Sequence, residues 1–308
     1  MALISKLRHF ARTLATQVPI LHQIRGTGAG RLLARISPIE RITIDDTIVI
    51  ELDLRVPQFR GYFFGNAFAL ESDLLLIPRL LSGDSVVVDI GAHIGVYALL
   101  AAKYAARVIA FEPAPETYRR MRANIALNPR LAPKIEVHQI ALSDHPGMLD
   151  FYYVESDPAV SGLKKPEFGR QTHVISVPAQ RLDDVLGEEQ ISFLKIDVEG
   201  AELEALCGAY RLLRRNQPLI LCELMESYHQ RFGRSVSDLI GYLNDLGYRG
   251  FEVNIGPRSS AQLCVQPLQP EKLIHNPKIT LNGLFIPASQ VEHVLARLGG
   301  ASVTMENA

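Results

Sequence analysis

A turn with two glycines and a carboxylate about 20 residues further along the chain are candidate ligand-binding residues. The stretch DIGAHIG (89–95) follows the β-branched run VVV, and Glu112 closes the next apolar run, RVIAF, about 20 residues later. Gly91 can bend sharply, and Gly95 lets the backbone come close to a ligand. A carboxylate at the end of the second strand can accept hydrogen bonds from both hydroxyls of a ribose. The spacing predicts a nucleoside site, with these candidate residues: Asp89, Gly91, Ala92, His93, Gly95 and Glu112.

The sequence of this turn distinguishes between the possible nucleotide ligands. Its spacing is G-x-x-x-G, without the third glycine of the dinucleotide pattern, and the chain has no G-x-x-x-x-G-K-[ST] for ATP. Asp89 would repel a pyrophosphate and attract a cationic centre. S-adenosylmethionine carries a ribose, an adenine and a positive sulfur, so we predict it as the cofactor. His93, inside the turn, either only shapes the loop or takes part in catalysis.

A second cluster, in FLKIDVEGAE (193–202), combines a lysine with carboxylates. Lys195 and Asp197 are two residues apart in a predicted strand, so their side chains share a face. A lysine in an apolar strand must find a partner or lower its pKa. Asp197 and Glu199 either act on the acceptor or cofactor, or cap the helix that follows. We predict Lys195, Asp197 and Glu199 as catalytic residues.

Glu223 and His229 extend this cluster. Glu223 ends the apolar run PLILCE, and with Asp197 or Glu199 it could deprotonate a hydroxyl or hold Mg²⁺. We include Glu223 among the catalytic residues but predict no metal site, because one sequence cannot show that three oxygens converge. His229 is either a general base or, as we expect, an exposed loop histidine.

Strand and helix patterns alternate around these residues, as in a parallel sheet with helices on both faces. The final runs, GFEVN (250–254) and ITLNGLFIP (279–287), lack an intervening helical pattern and indicate an antiparallel edge. IEVHQIAL (135–142) is predicted as one strand and residues 201–215 as one helix. The boundaries expected are a basic amphipathic extension over 1–41, a β-hairpin and helix over 42–81, a nucleoside-binding domain over 82–290, and a C-terminal helix or tail over 291–308.

Charge and composition limit the partners. The net charge of −1 lacks the basic excess of a nucleic-acid-binding protein, and no [DNS]-P-P-[YF] is present for base methylation. The three cysteines are widely spaced, which is typical of reduced thiols in a cytoplasmic protein. Residues 1–41 hold seven Lys or Arg against Glu40. This segment either docks on the core as amphipathic helices or contacts an anionic membrane surface.

Taken in order, several blocks resemble the FkbM family of S-adenosylmethionine-dependent methyltransferases: VVVDIGAHIGVYALLAAK, FEPAPETYRRMRANIALN, ALSDHPG, RLDDVL, FLKIDVEGAELEALCGA, a strand ending in Glu223 and NGLFIP. The resemblance covers about residues 50–287, and KIDVEG is its most specific part. It implies a class I methyltransferase (Rossmann-like) fold with a mostly parallel seven-stranded sheet whose last strand is antiparallel. It also favours Asp144, with Ser143 beside it, at the adenine, where the bare sequence indicates only a turn.

The resemblance further implies O-methylation of a small molecule or sugar. We expect the acceptor wall in the loop 154–178 and in the segment 55–72, which contains Tyr62, Asn66 and Glu71. A saccharide of a glycan or lipid-linked precursor is the preferred acceptor. Two alternatives stay open at this point: a NAD-dependent oxidoreductase on the same sheet, and a nucleoside-binding subunit without turnover.

Overall fold

The structure is a computed structural model that describes residues 34–64, 72–166, 171–255 and 263–298. Most of the basic segment 1–41 and residues 299–308 of the expected C-terminal tail therefore lie outside the described residues. Within the described ranges, no helix combines the length and apolar character that crossing a bilayer requires. The thiols of Cys207 and Cys222 are free, and Cys222 is buried.

The first described elements form the predicted hairpin. Strands β1 (Ile39–Ile44) and β2 (Ile48–Asp53) pair antiparallel around Asp45 and Asp46, which have φ values of 46° and 56°. Asp is one of the residues that tolerates this left-handed conformation in a tight hairpin. The hairpin begins three residues before the expected boundary at 42, because Ile39–Arg41 already pair with β2. Helix α1 (Pro57–Phe64) follows, and the predicted helix near 74–81 is a 3₁₀ turn (Ser72–Leu76) running into α2 (Ile77–Leu80).

The core alternates strands and helices as predicted. Up to residue 180 its elements are β3 (Val86–Ile90), α3 (Val96–Tyr104), β4 (Arg107–Phe111), α4 (Pro115–Ala126), β5 (Ile135–His138), β6 (Ala141–Leu142), β7 (Gly147–Tyr153) and β8 (His173–Gln180). Beyond it they are α5 (Leu182–Leu186), β9 (Phe193–Ile196), α6 (Glu202–Cys207), α7 (Tyr210–Asn216), β10 (Leu219–Leu224), α8 (Glu226–Gln230), α9 (Val236–Asp245), β11 (Tyr248–Ile255), β12 (Leu263–Pro267), α10 (Pro270–His275), β13 (Leu281–Pro287) and α11 (Val291–Arg297). The central strands are buried along their length, which is why they read as apolar runs without alternation.

The main sheet has the order β12-β11-β13-β10-β9-β3-β4-β5. The five strands β10, β9, β3, β4 and β5 are parallel to one another. The remaining strands pair antiparallel with their neighbours: β13 with β10, β11 with β13, and β12 with β11. The predicted α/β class, with an antiparallel last strand, is confirmed. Among the described residues the sheet has eight strands and not seven, because β12 adds an edge strand beside β11. The expectation of no helix between the last two predicted strands was wrong, since α10 lies there.

The third predicted strand is two strands in different sheets. IEVHQIAL leaves the main sheet after His138, and Ala141–Leu142 pairs with β8 in a three-stranded sheet of order β6-β8-β7. β5 is the edge strand of the main sheet, so no further neighbour holds the chain there. The buried side chain of Ala141 packs in the core of this second sheet, whereas that of Leu142 packs against the main sheet.

The predicted helix over 201–215 is also interrupted. It forms α6 and α7 because the chain at Gly208 packs against the Ser143 carbonyl, where a Cβ atom would lie 2.1 Å from the oxygen. The buried Asp183 carboxylate accepts the N–H groups of Arg211 and Leu212, both at 2.9 Å, and so caps the start of α7.

Asn124 of α4 and Asn128, just after this helix, join the hairpin to the core. Asn128 both donates to the Val49 carbonyl (2.7 Å) and accepts its N–H (2.9 Å), much as a neighbouring strand would. Asn124 accepts the Glu51 N–H (2.8 Å) and donates to the Ile94 carbonyl (3.0 Å). The hairpin is thereby tied to the glycine turn after β3.

Candidate functional site

A cavity of about 550 Å³ opens at the carboxyl ends of the parallel strands. It lies where strand order reverses, between β3 and β9, which is the usual ligand position in open α/β sheets. The volume falls within the roughly 300–1,000 Å³ of small-molecule sites. The residues that line it and that matter below are Gln58, Tyr62, Asp73, Gly91, Ala92, His93, Tyr97, Glu112, Ile140, Lys195, Asp197, Glu199, Glu223, Thr280 and Asn282.

The glycine turn forms one wall of this cavity. Gly91 has φ 80°, and a Cβ atom there would lie 1.9 Å from the Asp197 carbonyl oxygen, so only glycine fits. The N–H groups of Gly91 and Ala92 donate to the Phe111 carbonyl at 3.0 and 2.9 Å. Gly95, with φ 89°, starts α3 against the Met121 side chain and does not line the cavity.

Glu112, after β4, contacts His93 of the glycine turn after β3. The Glu112 carboxylate accepts the N–H groups of His93 (3.0 Å) and Ala114 (2.9 Å). Burial raises the pKa of Glu112 to about 8. Burial lowers the pKa of His93 to about 4, so the imidazole is neutral, and its ring lies 5.5 Å from that of Phe59. Glu112 thus reaches the cavity from the position that the spacing predicted.

Three of the predicted cofactor residues besides Gly95 do not line the cavity. Asp89 is 1% exposed and lies within the sheet, opposite Lys195 on the neighbouring strand. Ser143 and Asp144 follow β6 in the second sheet, because the third strand ends earlier than predicted. The cavity wall there is formed by Ile140–Leu142 instead.

Lys195 and Asp197 form an ion pair at the cavity floor. Lys195 is 3% exposed, its Nζ lies 2.7 Å from Asp197 Oδ2, and it sits 4.7 Å from the centroid of the Tyr97 ring. Burial alone would lower the pKa of Lys195, but Asp197 and Asp89 raise it. Burial alone would raise the pKa of Asp197, but Lys195 lowers it. Both groups are therefore charged, and the Asp197 carboxylate is partly open to the cavity.

Glu199 and Glu223 converge on the same point. One carboxylate oxygen from each of Asp197, Glu199 and Glu223 lies within 4.8 Å of the others. Burial, followed by the charge of Asp197, raises the pKa values of Glu199 and Glu223 well above the ordinary value. The Thr280 hydroxyl also donates to Glu223 at 3.0 Å. The protonated form is thus favoured at Glu199 and Glu223, whereas the ionised form is favoured at Asp197.

Three further polar residues line the cavity near Lys195 but were not predicted from the sequence: Asp73, Tyr97 and Asn282. Asp73 accepts hydrogen bonds from the Tyr97 hydroxyl and from Asn282 Nδ2, the latter at 2.7 Å. Burial raises the pKa of Asp73 to about 6. Tyr97 looks like part of an apolar helix, and Asp73 precedes the recognised core. Asn282, a polar residue in an apolar strand, was the one available signal.

The expected acceptor wall is only partly within the described residues. Tyr62 lines the cavity, as do Pro158, Ala159 and Ser161 of the 154–178 loop. Asn66 and Glu71 lie outside the described residues.

The prediction that His229 is an exposed loop histidine is wrong. It is 1% exposed, lies in α8 and does not line the cavity. Its Nε2 is 3.6 Å from a carboxylate oxygen of Glu202. The helix after β10 was missed, and it turns this side chain into the protein.

Comparison with known proteins identifies the family of this chain. Residues 89–249, more than half of the chain, match the Methyltransferase FkbM domain. The chain is 35% identical over 160 residues to methyltransferase sdnD of Sordaria araneosa, covering 42% of this chain and 61% of that protein. It is 29% identical over 145 residues to the hexuronic acid methyltransferase AglP of Haloferax volcanii, covering 47% of this chain and 58% of that protein.

The chain thus spans about three fifths of the length of these curated relatives. A crystal structure of methyltransferase FkbM from Methylobacillus flagellatus KT aligns at 16% identity and TM-score 0.41, covering 83% of this chain and 57% of that one. The domain match covers the glycine turn, Glu112 and the Lys195–Glu223 cluster. This chain belongs to the FkbM family of methyltransferases.

Proposed function

We propose that the protein transfers a methyl group from S-adenosylmethionine to a hydroxyl oxygen of a small molecule or sugar. The observation that carries this proposal is a single cavity with the glycine turn and Glu112 on one side and the charged Lys195–Asp197 pair on the other. A sugar acceptor is in keeping with the relative named a hexuronic acid methyltransferase.

The residues at the nucleoside end fit this cofactor. Glu112 presents a carboxylate to a ribose, and Ile140–Leu142 offer an apolar surface to a base. The ionised Asp197 carboxylate is open to the cavity while Lys195 is buried behind it, which suits a ligand with a positive centre. When bound, S-adenosylmethionine supplies an electrophilic methyl group.

The acceptor end would act through Asp197. Its carboxylate, kept ionised by Lys195, accepts the hydrogen bond of the acceptor hydroxyl and takes its proton as the oxygen attacks. A positioned base of this kind contributes roughly 10²–10⁴-fold to a rate. Glu223 and Glu199, as neutral acids, orient Asp197, and the fixed placement of two reactants contributes roughly 7–11 kcal/mol.

The proposal also covers the class of acceptor and the place in the cell where the protein acts. We propose a saccharide of a glycan or lipid-linked precursor, with the basic segment 1–41 holding the protein at an anionic membrane in the cytoplasm. Vesicles of neutral and of anionic lipid, mixed with the full chain and with a chain lacking residues 1–41, test this part. Equal binding of both chains to anionic vesicles would overturn it.

Product analysis tests the reaction itself. The protein is incubated with methyl-labelled S-adenosylmethionine and a panel of sugars, uronic acids, amines and hydroxylated metabolites. We expect label on a hydroxyl oxygen of one acceptor class. Label on nitrogen or on a carboxylate would contradict O-methylation of a hydroxyl. Binding of S-adenosylhomocysteine without transfer to any acceptor would favour the non-catalytic alternative.

A further inference from the structure

We propose that Glu202 is a positioning residue that fixes the loop from Asp197 to Gly200 and, through this loop, both ends of the cavity. The inference rests on the proposed function, because that function gives Asp197 its role. Glu202 itself does not line the cavity. It is 1% exposed and lies at the start of α6, behind the loop.

The carboxylate of Glu202 is bound to the loop backbone. Its Oε1 accepts the N–H of Val198 at 3.0 Å and the N–H of Gly200 at 3.1 Å. Both amides precede α6, and the N-cap of α6, Ala201, has no side-chain cap. Glu202 therefore holds the loop before the helix and is not an ordinary helix cap.

The loop needs such a restraint because its conformation is unusual. Glu199 has φ 60° and Gly200 has φ 106°. The left-handed region is uncommon for a residue other than glycine, and it persists where the surroundings enforce it. At Gly200 a Cβ atom would lie 2.6 Å from the Tyr228 carbonyl oxygen, so the loop is pressed against α8.

Helix α8 and the turn after it complete the support. Arg231 Nη2 donates to the Glu199 carbonyl at 2.8 Å. His229, 1% exposed, lies with its Nε2 3.6 Å from the second oxygen of Glu202. The Glu202 carboxylate is thus enclosed between the loop and α8.

The position of the loop affects both reactants. Asp197 and Glu199 project from it into the cavity, and the Asp197 carbonyl packs against Gly91 of the glycine turn. A shift of the loop would move the acceptor carboxylates and open the contact with the nucleoside turn. A misplacement of about 1 Å can cost a reaction roughly 10²-fold.

The test uses variants of Glu202 with a matched control. Glu226 is a buried carboxylate of α8 (3% exposed) that accepts the Val236 N–H at 2.8 Å and lies away from the cavity. S-adenosylhomocysteine affinity and thermal unfolding are measured for Glu202→Ala, Glu202→Asp, Glu202→Gln and Glu226→Ala. Binding is measured at a temperature at which every variant is folded.

We expect Glu202→Ala and Glu202→Asp to bind S-adenosylhomocysteine about tenfold more weakly, because neither side chain reaches both amides. Glu202→Gln should restore most of the affinity, since its amide oxygen can accept both bonds. Glu226→Ala should unfold at a lower temperature but bind within about twofold of the wild type. If Glu202→Ala fails to fold, the contrast between the Asp and Gln variants decides the question.

Wild-type affinity in Glu202→Asp, or in a folded Glu202→Ala, would overturn the inference. Equal loss of affinity in Glu226→Ala would also overturn it, by showing a general effect of stability. A wild-type protein that does not bind S-adenosylhomocysteine would instead contradict the proposed function.

Discussion

The two ends of the cavity are built in different ways. The nucleoside end comes from one βαβ unit, in which the glycine turn after β3 meets Glu112 after β4 through backbone N–H groups. The acceptor end is assembled from distant segments: Asp73 before the core, Tyr97 on α3, Lys195 and Asp197 around the end of β9, Glu223 on β10 and Asn282 on β13. A local backbone motif thus shapes one end, and buried side chains brought together by the sheet order shape the other.

The carboxylates at the two ends differ in their protonation. Glu112 and Asp197 follow strands β4 and β9, and burial acts on both to raise the pKa. At Glu112 the backbone N–H groups of His93 and Ala114 offset this effect only in part, whereas at Asp197 the ammonium of Lys195 reverses it. A neighbouring charge, and not burial, therefore decides which carboxylate is ready to take a proton.

Removing the base at the acceptor end should have the largest effect. Asp197→Asn keeps the shape but cannot take a proton, so we expect methyl transfer to fall by roughly 10²–10⁴-fold. The measurement is S-adenosylhomocysteine release with the acceptor that the wild type methylates. Asp150→Asn, a change at an exposed carboxylate, is the control and should retain full activity. A fall of less than about tenfold in Asp197→Asn would show that Asp197 is not the base.

Removing the ammonium group of Lys195 should affect both the stability of the protein and the pH dependence of its activity. Lys195→Met removes both the partner of Asp197 and the nearby charge that favours ionised, buried Asp89, and loss of one member of a buried ion pair costs roughly 3–5 kcal/mol. Since Lys195 lowers the pKa of Asp197, its loss should raise that pKa and move the acid limb of the pH–rate profile to higher pH. Urea unfolding and a pH profile measure the two effects.

Lys103→Met provides the matched control for stability. Lys103 also pairs with an aspartate, Asp45, but both side chains are about 30% exposed, and such surface pairs contribute about 0–1 kcal/mol. Equal destabilisation by the two lysine variants would contradict the difference drawn between a buried and an exposed pair. An unchanged acid limb in Lys195→Met would contradict the role of Lys195 in ionising Asp197.

A smaller effect is expected at the nucleoside end, where an ionised carboxylate is also needed but forms only at a higher pH. Ribose hydroxyls donate best to an ionised Glu112, whose pKa burial raises to about 8. Affinity for S-adenosylhomocysteine should therefore rise as pH increases from about 6 to 8, with release of a proton on binding. Glu112→Gln should abolish this pH dependence and weaken binding by roughly 1.5–3 kcal/mol. Calorimetry in buffers of different ionisation enthalpy measures both quantities; pH-independent binding to the wild type would refute the assignment.

Chelation should have the smallest effect. The three converging carboxyl groups could hold Mg²⁺, but the raised pKa values of Glu199 and Glu223 fit two protonated acids better than an ionised ligand set. We expect full methyl-transfer activity after treatment with EDTA. Loss of activity that Mg²⁺ restores would show that a cation, and not protons, lies between these groups.

The difference between the ends also explains what the sequence could predict. Strands VVVDI and RVIAF and the turn between them form contiguous patterns, and the structure has both strands with the predicted bounds. The contact of Asp73 with Asn282 joins residues 209 apart, so no local pattern reveals it. Gly208 interrupts a helical pattern only because a carbonyl from another segment occupies the space. The errors therefore fall where tertiary contacts override local preference.

The most direct test of the central claim is thermal unfolding with S-adenosylhomocysteine, NAD or ATP added separately. A ligand present at about 100 times its dissociation constant stabilises the native state by roughly 2.7 kcal/mol. We predict a stabilisation of this size with S-adenosylhomocysteine alone, and its fall to roughly 0.3–1.3 kcal/mol at the same concentration in Glu112→Ala. Stabilisation by NAD alone would contradict the assignment of the glycine turn and, with it, the proposed methyl transfer.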